Sequence, residues 1–304
     1  MNINPIYYTL LEKPFFIDVR RIAARQVLIH QLLTHSADQQ DGTPLTKRTP
    51  LSEAAMAVSA KGERKKGHWD GAPQGSVAVI PLKGDMMKQG TYCSYGTEEL
   101  AALLMEAVQS ASIIGTVLDV DSGGGAVDAI WPLTEAIGKS QAQGKPVVAS
   151  CDLCASAAYY VACHADRVMA NNTLSAEFGS IGVMVQFADY QKYFEDMGIK
   201  VHTVYSDLST YKNAPFEAAM KGDYKGLKDE LLNPLARQFQ QSVREHRQQL
   251  DEKTEGLLQG RMFFARDAVR VGLADATGTL DDAVEEVRRL SADMQLRRLS
   301  ANME

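Results

Sequence analysis

The sequence predicts an α/β fold organised around parallel strands. Short apolar runs alternate with stretches of helical period, and 304 residues with 45% apolar content are enough to bury a full core. Val77-Ala-Val-Ile-Pro-Leu82, Ile113–Val120, Pro146–Ser150 and Ile181–Val185 read as buried strands. Between the first two, Leu100, Leu103, Leu104, Ala107 and Val108 recur at helical spacing. Thr97 followed by Glu98 and Glu99 suits that helix's start. A further helix fits Val127 to Gln143. These alternations are βαβ units, and they place the core at residues 76–216.

Residues 1–75 read as an arm and a flexible linker. Ile22, Val27, Leu28 and Leu32 form an apolar-periodic stretch after the turn-prone Lys13-Pro14, which predicts a short helical arm. From Ser36 to Gly75 the composition turns polar, with a basic run at Lys61–Gly67 and a short helix at Leu51–Ala60. Such a run is read as solvated rather than as a nucleic-acid contact. Residues 217–304 are mostly helical and are expected to complete the core and supply oligomer contacts. Pro234 is expected to end or kink a helix after Asn233, and Thr279-Leu-Asp-Asp282 resembles a capping box. Arg288-Arg-Leu-Ser-Ala292 recurs as Arg297-Arg-Leu-Ser-Ala301, too short a repeat to define an architecture.

Composition excludes several classes. A net charge of −6 argues against a nucleic-acid binder. The most apolar stretch, Pro146 to Ala165, is interrupted by Asp152 and His164, so no membrane span is expected. The first thirty residues carry Glu12, Lys13, Asp18, Arg20, Arg21 and Arg25 without an apolar core, so no signal peptide is expected either. The chain reads as cytoplasmic. Cys93, Cys151, Cys154 and Cys163 are too few for a disulfide framework. Cys151 and Cys154 form a C-x-x-C that suits a redox pair or half a zinc site. Cys163-His164 has the wrong spacing for the other half, which favours buried, reduced side chains. Neither a metal nor a cofactor is expected.

Three places can carry chemistry. Asp121-Ser-Gly-Gly-Gly-Ala126 follows a predicted strand, and its glycines let the backbone turn and aim N–H groups at a phosphate or an oxyanion. A plain tight turn is the alternative. In Cys151-Asp-Leu-Cys-Ala-Ser-Ala-Ala-Tyr-Tyr160, Ser156 sits among small neighbours where a helix can begin, so the Ala157 N–H can steady a charged oxygen. The alternative is a packing serine. In Ser209-Thr-Tyr-Lys-Asn-Ala-Pro-Phe216, the apolar flanks of Lys212 would shield its ammonium, and desolvation favours the neutral amine that a general base requires. Most lysines are merely solvated.

The order of these motifs resembles the S49 peptidases, the signal peptide peptidase A family that includes phage capsid-assembly proteases. The Gly-Gly loop, A-S-A-A-Y-Y, Gly179-Ser-Ile-Gly-Val183 and Tyr211-Lys212 occur in that family's sequence. Ala165-Asp-Arg-Val-Met-Ala170 and the stretch from Gly260 to Asp275 match as well. The resemblance covers about residues 76–286 and implies a ClpP/crotonase-like core, a repeated ββα superhelix, with a helical N-terminal arm and C-terminal helices. It implies a serine endopeptidase in which Ser156 is the nucleophile, Lys212 the base and Ser180 the group that orients Lys212. Gly125 and Ala157 would supply the oxyanion hole, with Gly124 shaping the turn. It also implies a homo-oligomeric ring acting on polypeptides such as capsid or scaffold proteins, in the phage-type branch. Ser122-Gly-Gly-Gly125 lacks the proline usual in this turn, and Ser156-Ala-Ala158 replaces the usual S-G-G. A crotonase-type acyl-CoA enzyme and a catalytically inactive assembly protein remain as alternatives. A Ser–His pair is disfavoured, because His164 lies about two helical turns from Ser156 and His202 has no evident orienting partner.

Overall fold

The computed structural model describes residues 15–17 and 50–301, apart from 68, 70, 91–94, 188 and 190. The expected arm helix around Ile22–Leu32, and Cys93, lie outside the described residues. The architecture is a mixed nine-stranded sheet with helices on both faces. In chain order the strands are β1 (Phe15–Ile17), β2 (Met56–Val58), β3 (Arg64–Lys66), β4 (Ser76–Lys83), β5 (Ile113–Ser122), β6 (Gly124–Ala126), β7 (Val147–Ala155), β8 (Arg167–Ala170), β9 (Glu177–Gly179), β10 (Met262–Phe264) and β11 (Ala276–Thr277). The helices are α1 (Leu51–Ala54), α2 (Thr97–Gln109), α3 (Trp131–Ala142), α4 (Ala157–Ala162), α5 (Gln191–Asp196), α6 (Ala214–Met220), α7 (Lys225–Leu227), α8 (Asn233–His246), α9 (Ala265–Arg270) and α10 (Leu280–Ala301).

The large sheet runs β10-β9-β7-β5-β4-β2-β3, with β8 also pairing β7 and β11 pairing β8. The pairs β4–β5, β5–β7, β7–β8 and β7–β9 are parallel, as the βαβ pattern predicts. β7 pairs with β8 along Val148–Cys151 and then with β9 along Leu153–Ala155. That split leaves the carboxyl end of β7 between β5 and β9, where Ser156 follows. The period of two along β4 sorts its side chains between two cores. Ala78, Ile80 and Leu82 face the helical layer with Leu100, Leu104, Leu133 and Ile137. Val77 and Val79 join Val117, Val148 and the α10 residues Ala283, Val284 and Val287 on the other face.

Several helix signals hold. Thr97 opens α2, where Glu99 reaches back to the N–H of Gly96 at 2.8 Å. The Thr279–Asp282 box forms in both directions, Thr279 N–H to Asp282 Oδ2 at 2.7 Å and Asp282 N–H to Thr279 Oγ1 at 3.2 Å. Pro234 departs from expectation. It lies in the first turn of α8, where its missing N–H costs nothing, and a π-helical segment, Lys228–Leu232, leads into it. Ile181–Val185 forms no strand. The neighbouring Glu177–Gly179 pairs instead, because the chain turns at Ser180 with φ +52°.

The polar stretch before residue 76 also differs from a plain linker. Its helix stops at Ala54, and β2 then pairs antiparallel with β4, burying Ala55, Ala57 and Val58. Arg288 fastens the end of β2, donating to the carbonyls of Val58, Ser59 and Gly75. Trp69 is buried and its indole N–H reaches the Leu103 carbonyl. Limited proteolysis should therefore leave Ala55–Gly75 attached to the core, and mass spectrometry of the resistant fragment checks it. A fragment beginning near residue 75 would mean that these pairings do not hold in solution.

Candidate active site

Ser156 links β7 to α4 in a sharp turn. Its φ is +56° with ψ −121°, a conformation costly for a residue with a Cβ, and on the order of 1–3 kcal/mol of strain is held there by the surroundings. The Ser156 N–H donates to the Gly179 carbonyl at 2.8 Å, and its carbonyl accepts the Tyr160 N–H at 2.9 Å. The main chain is thus fixed on both sides of the hydroxyl. Ser156 is 1% exposed, and its Oγ makes no hydrogen bond among the described residues. A buried hydroxyl with no partner costs free energy, so its retention on a strained turn fits a reacting group better than a packing one.

The glycine loop closes one side of this turn. β6 packs beside α4, and Met86 clamps β6 by donating its N–H to the Gly124 carbonyl and accepting the Ala126 N–H, both at 2.9 Å. A Cβ on Gly125 would lie 1.9 Å from the Met86 carbonyl oxygen, so only glycine fits. Ser122 anchors the turn, donating to the Gly84 carbonyl and accepting the Gly124 N–H. Met86 was not legible as a site residue, because its part is played by backbone that any side chain could carry. On the other side, Gly179 has φ +129° and no room for a Cβ beneath the Arg261 carbonyl, which also accepts the Ser180 N–H at 3.2 Å. The structure thus gathers Gly124, Gly125, Ala157 and Ser180 around the turn that carries Ser156.

Lys212 is not gathered with them. It is exposed in a turn before α6, with its N–H on the Ser209 carbonyl at 3.0 Å. Its side chain makes no hydrogen bond or ion pair among the described residues. The expected shielding is not supplied among the described residues, since Tyr211 is 65% exposed and its hydroxyl turns away to Glu230. The segment leading to Lys212 exposes Val201, Val204 and Leu208 among polar side chains.

Behind the site, α4 is held from below. The hydroxyl of buried Tyr159 donates to the Leu273 carbonyl at 2.9 Å. Arg247 and Asp275 form a two-pronged pair at 2.9 Å each, with Arg247 side-chain exposure of 7%. Cys151, Cys154 and Cys163 are free and buried; burial pushes the Cys154 thiol well up and takes Cys163 to about 12, so neither favours the reactive thiolate. His164 is turned to other work. Its Nδ1 faces the Tyr160 carbonyl at 2.7 Å, its Nε2 faces Ser242 Oγ at 3.4 Å, and its ring stacks on Tyr160 and lies tilted against His246. Cys163, His164 and His246 bring their ligand atoms within 4.8 Å of one another.

Burial, aided by His246, pushes the His164 pKa down to about 4. The unfolded chain, with a histidine near 6.5, therefore binds more protons between these values. Stability should be full above pH 6.5 and decline as pH falls toward 4. In urea titrations, the part of this decline due to His164 should vanish in His164→Gln. An unchanged decline would place the acid sensitivity elsewhere.

A family model, Peptidase family S49, matches residues 139–294, half of the chain, including the Ser156 turn and Lys212. The chain belongs to peptidase family S49. Among its S49 relatives, the capsid assembly protease C of Escherichia phage lambda is 24% identical over 86% of this chain and 60% of its own length. A Methanocaldococcus jannaschii protein bearing a protease name is 31% identical over 62% of this chain and 60% of its own. Protease 4 of Haemophilus influenzae is 26% identical over 70% of this chain but only 34% of its own length. The chain thus spans from a third to three fifths of these relatives. Among solved structures, a mutant of the 1510-N membrane-bound stomatin-specific protease aligns with a TM-score of 0.42 at 12% identity, covering 70% of this chain and 78% of the other. No helix among the described residues is long and apolar enough to cross a membrane.

Proposed function

We propose that this S49 chain is a serine endopeptidase whose Ser156 works with a Lys212 contributed by a neighbouring subunit. The observation that carries the reading is the mismatch between the two residues. Ser156 presents a buried hydroxyl without a partner among the described residues, on a strained turn, whereas Lys212 stands exposed after a segment that also exposes Val201, Val204 and Leu208. Exposed apolar stretches of this kind mark association surfaces. Packing against a second copy would bury Val201, Val204 and Leu208 and carry Lys212 into a dry setting. Head-to-tail contacts that close make a ring, which would screen the sites from folded proteins.

In this mechanism Ser156 Oγ attacks the scissile carbonyl while the Lys212 amine takes its proton. The proton passes to the departing amine, leaving an acyl-enzyme that water hydrolyses by the same route. Gly125 and Ala157 N–H groups would hold the oxyanion, Gly124 shapes their loop, and Ser180 orients Lys212. Loss of one such donor typically costs on the order of 100-fold in rate. The named role of the lambda relative suggests capsid or scaffold polypeptides as substrates, during head assembly.

Mixing inactive Ser156→Ala and Lys212→Ala proteins tests the shared site. Subunit exchange should restore up to about a quarter of wild-type activity, since some interfaces pair an intact serine with an intact lysine. No recovery in mixtures shown to exchange would mean that each chain supplies its own base.

A further inference from the structure

Deepening the peptidase reading, on which it rests, we propose that the chain carries its own occupant for the peptide-binding edge of the site. The strand β1 lies on the glycine strand where an extended substrate would pair. Its register is antiparallel, with Phe15 opposite Ala126, Phe16 opposite Gly125 and Ile17 opposite Gly124. These two strands form a small sheet of their own, apart from the nine-stranded one.

The hydrogen-bond pattern identifies which groups β1 covers. Met86 already uses the Gly124 carbonyl and the Ala126 N–H. Within a strand, the N–H and C=O of one residue point to the same edge, and successive residues alternate. The N–H and C=O of Gly125 therefore point to the opposite edge, which β1 occupies, with Phe16 facing them. That N–H is the one assigned above to the oxyanion. β1 also runs beside α4, the helix that starts directly after Ser156. Strand addition uses main-chain groups and tolerates many sequences, so the same edge suits any extended peptide. A tethered segment meets this edge at an effective concentration on the order of millimolar, so even a three-residue pairing competes with free substrate.

The test uses Phe16→Pro, which deletes the N–H facing the Gly125 carbonyl and leaves the nine-stranded sheet untouched. A deletion of residues 1–17 is the second variant. Both are compared with the parent in a Ser156→Ala background, with fluorescein-labelled β-casein as an unstructured polypeptide probe. If β1 holds the edge about nine-tenths of the time, casein should bind about tenfold more tightly to either variant. The Gly125 amide should exchange with solvent about tenfold faster by mass spectrometry in the absence of casein. A synthetic Leu11–Arg20 peptide should displace casein from Phe16→Pro, and its proline counterpart should not. Equal casein affinity and equal exchange in parent and variants would overturn the proposal, whatever their proteolytic activity. Tighter casein binding without any Ser156-dependent cleavage in the active background would keep the occupant and discard the peptidase reading.

Discussion

Ser156→Ala should abolish peptide-bond cleavage, by on the order of 10⁴-fold or more, while leaving the fold at least as stable as the parent. The two halves of this expectation have separate causes. The hydroxyl is the proposed nucleophile, and nothing else at the turn can replace it. Structurally, Oγ is buried and bonded to nothing in the described chain, so its removal frees the fold of an unsatisfied polar atom. Alanine keeps the Cβ and hence the strain at φ +56°, so any gain in stability should stay near ~1 kcal/mol. Ser156→Gly would also relax the backbone and should be the more stable of the two. Casein cleavage and urea unfolding on the same preparations check both halves. Retained cleavage would remove Ser156 from the mechanism; lost activity with a lowered urea midpoint would make its role structural.

Arg247→Met should have the largest effect on stability, about 3–5 kcal/mol. Arg247 spans α8 and the loop before β11, giving two bonds to Asp275 and one to the Gly272 carbonyl at 3.0 Å. Removing it strands a carboxylate that is 24% exposed in a shielded setting. Asp275 is not idle otherwise, since it accepts the Val168 N–H at 2.7 Å and so fixes the start of β8. The double variant Arg247→Met, Asp275→Leu should recover part of the loss, because no charge is left buried. Recovery should stay incomplete, because the Val168 N–H then lacks its acceptor. Urea unfolding of the four proteins in the cycle measures both terms. A cost below ~1 kcal/mol for Arg247→Met would mean that water reaches the pair freely.

What the sequence made legible was what side-chain pattern controls. β4 could be placed because Val77–Leu82 is a continuous apolar run, β5 because Val117, Leu118 and Val120 cluster within it, and α2 because its leucines fall on one face. β7 was harder. Its second half, Cys151–Ala155, reads as small and mixed residues, yet its pairing to β9 extends it to the brink of Ser156. β2 was hidden for a similar reason, as three residues between polar stretches carry too little apolar signal. The positions around Ser156 followed from motif order rather than from propensity. No local preference predicts a serine at positive φ; the Gly179 carbonyl on the neighbouring strand holds its N–H there. The Met86 clamp left no trace, since backbone groups do its work. Among the described residues Lys212 is exposed and Ser156 Oγ has no partner, so the pairing of the two that motif order suggests is not made by any contact within them.

The helix α10 has a bearing on when this molecule can mature. It covers the valine face of β4, β5 and β7 through Ala283, Val284 and Val287, and its Arg288 secures the end of β2. Those strands emerge from a ribosome long before residue 280. At a typical 5–20 residues per second, the interval between β4 and α10 lasts roughly 10–40 seconds. During it the sheet can be covered on its Ser156 side alone, with an apolar surface open behind it. A chain cut short before α10 would therefore leave this valine face open to water, and the making of α10 sets the moment at which both faces of the sheet are closed.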